Sequence, residues 1–172
     1  MFRGGPLDLL LGIPEIEKIF DEAPLDFATN LVNRFNEIRE CDVILDDRFR
    51  KVYEYFREAK KCYITGCFRA SLIMVQAALE CCLRLDFYYQ NGKEFDGPFH
   101  KLLENASIKE EIAPYAELAD VCRKVRNDVV HVKAGKQFQF HKSIVKTSLE
   151  TIAILINHMI KKPQKSFLEK MA

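Results

Sequence analysis

Arg126, Asn127 and His131 are the residues of this chain whose types and spacing could together do chemistry. They lie in the stretch Val121-Cys122-Arg123-Lys124-Val125-Arg126-Asn127-Asp128-Val129-Val130-His131. His131 carries the side chain whose ordinary pKa suits proton transfer near neutral pH. Arg126 offers a permanently charged planar fork that fits phosphate oxygens and stabilises negative charge as it builds in a transition state. Asn127 can orient either the histidine or the phosphate by hydrogen bonding. The same residues also have a plainer use. Solvated polar and basic side chains are favoured near a helix C-terminus, where the backbone dipole is negative.

The spacing adds a constraint. Positions five apart on a regular helix point roughly 140° apart, so Arg126 and His131 cannot share one face of it. Either the helix frays near Val130, or a second copy of the chain completes the site across a two-fold axis. Val130 lies off the apolar stripe of its helix, which agrees with a covered position.

The elements that must position these residues read as helical. Phe49, Val52, Tyr53, Phe56, Ala59 and Tyr63 form an amphipathic stripe between Asp46 and Tyr63, with Asp46 or Asp47 as its N-cap. Gly66 punctuates, and Cys67 to Tyr89 begins a second helix, apolar almost all round and therefore central. Asn91-Gly92 and Gly97-Pro98 bracket a turn region, followed by a short helix from Phe99 to Asn105. Pro114 suits the first turn of a third long helix, whose inward stripe reads Leu118, Val121, Cys122, Val125, Val129 and Val132. Gly135 breaks that pattern. A fourth long helix runs from about Ser143 to Ile160, stopped by Lys161-Lys162-Pro163. A further helix is expected from roughly Asp26 to Arg39, ahead of the apolar Val43-Ile44-Leu45. The expectation is an all-α chain: a four-helix up-down bundle over residues 46–162, with a short accessory helix. A partly helical acidic extension (1–45) precedes it and a tail (163–172) follows.

With that order of elements, the motif resembles the HEPN superfamily, whose signature is an arginine, four to six residues, then a histidine, with a polar residue after the arginine. The upstream stretch from Glu58 through Gly66 to Ile73, and Ala78-Leu79-Glu80 beyond it, is similar to that family's first helix, glycine-containing turn and acid-bearing second helix. The resemblance spans about Phe49 to Ile160. It implies a metal-independent endoribonuclease, acting as a toxin or antiviral-defence effector, with Arg126, Asn127 and His131 catalytic in a cleft between two protomers. RNA supplies its own nucleophile, the 2′-hydroxyl, so no metal or other cofactor is required. The resemblance equally covers non-catalytic modules that dimerise and hold RNA, a nucleotide or a protein, and members neutralised by a nucleotidyltransferase antitoxin.

Glu80 falls with Gln76 and Arg84 on a polar stripe of the second helix. It reads either as an i, i+4 ion-pair partner of Arg84 on a solvent stripe or as a supporting partner for Arg126 or His131. His100, His141 and His158 have no metal-ligand spacing and read as structural or surface residues. Phe87-Tyr88-Tyr89 reads as core packing, with base stacking as its other use.

The bulk composition narrows the classes. The chain has 172 residues, 48% hydrophobic and 30% charged, a proportion that excludes wholesale disorder and collagen-like repeats. No run approaches the ~20 apolar residues of a membrane span, and no signal peptide is apparent. The six cysteines lack CxxC spacing and read as small buried hydrophobes, which points to a reducing, cytoplasmic setting. The net charge of +1 is a cancellation. Residues 1–47 hold four basic and eleven acidic side chains. Residues 121–142 hold Arg123, Lys124, Arg126, Lys133, Lys136 and Lys142 against Asp128 alone. Arg123, Lys124, Lys133 and Lys136 are therefore the expected RNA-phosphate contacts, and the acidic extension is a candidate cover for them.

Overall fold

The computed structural model describes residues 25–105, 112–130 and 142–161. These residues form six α-helices: α1 (Leu25–Glu37), α2 (Arg50–Ile64), α3 (Phe68–Asn91), α4 (Phe99–Glu104), α5 (Ala116–Val130) and α6 (Lys142–Lys161). Single 3₁₀ turns, Asp47–Phe49 and Ala113–Tyr115, lead into α2 and α5. The described chain is an all-α helical bundle, and no strand occurs among these residues. The sequence boundaries hold to within a few residues. Pro114, expected in the first turn of the third long helix, sits in the 3₁₀ turn just before it.

Local chemistry explains the entry to and exit from α2. Asp46 is in extended conformation and its carboxylate accepts from the Arg48 amide at 2.9 Å, satisfying one of the donors that a helix start leaves open. At the other end, the Cys67 amide donates to the Cys62 carbonyl and the Gly66 amide to the Tyr63 carbonyl, at 2.7 and 3.0 Å. This paired closure needs a left-handed residue, supplied by Gly66 at φ +85°. A β-carbon there would also come within 2.6 Å of Arg34 Nη1, so the turn and α1 meet through the absence of a side chain.

The turn folds α3 back along α2. The Ser71 hydroxyl donates to the Ala59 carbonyl at 2.8 Å, and the Phe49 and Tyr89 rings lie 5.9 Å apart at the far end, so the two helices are antiparallel. α6 packs on α3 and α2, while α5 packs on α3 and α6. This makes α3 the central element, with Leu72, Val75, Ala78, Leu79, Cys82 and Leu83 all fully buried. Central placement also buries Gln76, which is 4% exposed rather than on a solvent stripe.

Residues 25–45 are built into the same core. Leu31, Ile38, Cys41 and Val43 belong to one buried cluster with Phe56, Tyr63 and Ile156. The extended stretch after α1 is bridged to α6 by one side chain: Asn157 accepts from the Ile44 amide and donates to the Asp42 carbonyl, each at 2.8 Å. A single amide thus completes both backbone groups of a segment that has no strand partner among the described residues.

Candidate functional site

The third long helix carries the front of the motif. α5 packs against α3 and α6, and Ala119 marks its inward side at 2% exposure. Val121, expected on the inward stripe, is 42% exposed. Residues two apart on a helix point about 200° from one another, so Ala119 and Val121 cannot both face the core. The motif's arginine position lies on α5, one turn before that helix ends at Val130. His131, Lys133 and Lys136, and the side chain of Arg126, lie outside the described part of the structure, as does His141.

Asn127 is half-buried and shares a different stripe with Asp120, Arg123 and Lys124. Asp120 organises that stripe. Its Oδ1 accepts from Arg123 Nε and Nη2 at 2.9 and 2.7 Å, and its Oδ2 meets Lys124 Nζ at 2.7 Å. The bonds from Lys124 and Arg123 hold the Asp120 carboxyl below its ordinary pKa. Two cations expected to face RNA are thus engaged by a carboxylate one residue outside the basic window. Lys142, another cation counted in that window, donates to Glu37 at 2.6 Å. The positive balance of residues 121–142 is accordingly smaller at this surface than the formal count gives.

Lys142 belongs to a second charged cluster, where α6 begins. Glu37 accepts from Lys142 Nζ at one oxygen and, at 2.6 Å, from the fully buried Tyr63 hydroxyl at the other. Burial raises the Glu37 pKa, but the bonds from Lys142 and Tyr63 outweigh it and hold the carboxyl below its ordinary value. Burial, together with the carboxylate beside it, pushes the Tyr63 phenol well up. One acidic side chain of the expected cover is therefore a tie between α1, α2 and α6. Asp42 has a partner on the body as well, Lys60.

Glu80 is placed with Arg84. Its Oε1 accepts from Arg84 Nε and Nη2 at 3.0 and 2.8 Å. The remaining Arg84 donors reach beyond the helix, to the carbonyls of Phe95 at 3.1 Å and Gly97 at 2.9 Å. The pair thus fixes the loop after α3. Among the described residues it borders a groove lined by α2, α3 and that loop, with no residue of α5.

Sequence reasoning passed over Asp86, a carboxylate on α3 that is 1% exposed and accepts from Gln90. Its signal was an acid set among Leu83, Leu85, Phe87, Tyr88 and Tyr89, lacking the i+4 base that would mark a surface pair. Complete burial, with the Asp86 charge added to it, pushes the Cys82 thiol well up. The cysteines are mixed rather than uniformly buried: Cys41 and Cys82 are inside, Cys62 and Cys81 intermediate, Cys67 exposed, and all five are free. Within the aromatic run, Phe87 packs in the core while Tyr88 is 45% exposed. His100 and His158 are exposed.

Among the described residues, no group of three or more His, Cys, Asp or Glu side chains is arranged to hold a metal ion. No described helix is long and apolar enough to cross a membrane. Compared with known proteins, the chain matches no family model, no curated protein and no solved structure.

Proposed function

We propose that the bundle of α2, α3, α5 and α6 is a HEPN-type domain acting as a metal-independent endoribonuclease, in the manner of a toxin or antiviral-defence effector. The observation that supports this reading is that positions 126 and 127 fall on α5, the third of the four helices α2, α3, α5 and α6, with His131 following in the sequence. In the proposed reaction His131 removes the proton of an RNA 2′-hydroxyl, and that oxygen attacks the adjacent phosphorus. The bond from phosphorus to the 5′-oxygen breaks, the leaving oxygen takes up a proton, and a 2′,3′-cyclic phosphate remains. Arg126 neutralises the charge gathering on the non-bridging oxygens, and Asn127 orients the reacting groups. Two copies of the chain bring their motifs together, which resolves the roughly 140° between Arg126 and His131 on one helix.

The test is incubation of the purified full chain with total RNA in EDTA, beside Arg126→Ala and His131→Ala. Cleavage by the wild type with cyclic-phosphate ends, lost in both variants, is expected. Intact RNA with a folded, dimeric wild type would overturn the catalytic reading. RNA binding without cleavage, altered by the same substitutions, would replace it with a non-catalytic module.

A further inference from the structure

The groove between α2 and α3 is a built feature independent of the motif. It has a volume of about 610 Å³, within the size range of small-molecule sites. Tyr55, Leu85, Tyr88 and Phe95 give it aromatic and aliphatic walls, and Lys51 and Cys81 are polar points within it. The Phe95 wall is fixed in place: Arg84 holds the carbonyls of Phe95 and Gly97, and the Phe95 ring meets Phe87 edge-on at 5.2 Å. Gly97 permits that position, since a β-carbon on it would come within 3.0 Å of the Phe95 ring. Such pre-ordering lowers the cost of binding.

Charge narrows the occupant. Glu80 is engaged by Arg84, whereas Lys51 on α2 and Glu94 on the loop have no ion-pair partner among the described residues. With Glu80 and Glu94 against Lys51 and Arg84, the lining is neutral in total, which disfavours a polyanion such as RNA or a nucleoside triphosphate. The aromatic walls on the α2 and α3 side fit a planar ring, and the Lys51 ammonium beside them, away from the loop that carries Glu94 in the chain, fits a single carboxylate. We propose that this groove binds a small aromatic monocarboxylate, its ring among Tyr55, Leu85 and Tyr88 and its carboxylate on Lys51.

The chain contains no tryptophan, so an indole probe is the only indole in the sample. Fluorescence anisotropy of indole-3-acetate, titrated with the full-length protein, should show saturable binding. The cationic analogue tryptamine and the variant Lys51→Met should each weaken it about tenfold. Ala77→Phe, which places a ring in the groove, should abolish it. Because Lys51 is exposed, its substitution tests the site even if Ala77→Phe fails to fold. Indole-3-acetate should also slow alkylation of Cys81, read by peptide mapping, and leave the exposed Cys67 unaffected. Absence of saturable binding, equal affinity for tryptamine, or unchanged affinity in Lys51→Met would each overturn the proposal.

Discussion

Glu37 and Asp120 each gather two donors around one carboxylate, yet they do different work. Asp120 bonds residues three and four positions along its own helix, with its side chain 38% exposed. Glu37 bonds Tyr63 and Lys142, residues 26 and 105 positions away, and so joins three helices. Pairs within one helix turn stabilise that turn by a few tenths of a kcal/mol in high dielectric. A carboxylate facing a buried phenol acts where an unmet polar group is expensive. The contrast separates a surface charge pattern from a tertiary tie, although both look like single acids in the sequence.

Glu37→Ala should break the comparison most visibly. It leaves the Tyr63 hydroxyl buried without this acceptor, and urea unfolding should show a loss of about 2–3 kcal/mol. Asp120→Ala should stay within about 0.5 kcal/mol in the same measurement. Equal losses would show that the two clusters are energetically alike. Tyr63→Phe removes only the donor and should cost about 1–2 kcal/mol.

Acid sharpens the distinction further. Because the folded pKa of Glu37 is depressed, its contribution is complete above its ordinary value of 4.5 and is lost as pH falls through the folded value. Urea midpoints measured through that range should decline for the wild type, and less steeply for Glu37→Gln. The smallest effect on stability, and the most informative for function, belongs to Asp120→Asn. Freeing Arg123 and Lys124 should tighten RNA binding about threefold at low salt, measured by filter binding. Unchanged affinity would remove those two residues from the RNA surface.

The contrast bears equally on the candidate cover. Deleting residues 1–45 would remove Leu31 and Ile38 from the core along with the acidic charges. A truncation that spares these core residues stops at residue 24, and increased RNA affinity in it is the result that supports a covering role for the acidic segment.

Features written in neighbouring residues were legible without a structure. The stripe from Phe49 to Tyr63, the turn at Gly66, the cap at Asp46 and the Glu80–Arg84 pair depend on spacings of two to five residues, which helix geometry fixes. Val121 was misplaced on the inward side of α5 because a helix with apolar residues on several sides does not state its own rotation. Only packing against α3 and α6 selected Ala119 over Val121. Distance along the chain hid the rest. Nothing in the sequence pairs Glu37 with Lys142, Asn157 with the backbone at Asp42 and Ile44, or Arg84 with the loop at Phe95 and Gly97. The sequence by itself determined that this chain is helical, where its helices begin and end, and which residue types could handle a phosphate and a proton. The tertiary structure decided which polar groups are buried and which charges are already engaged, because those depend on what lies across the core rather than on what lies next in the chain.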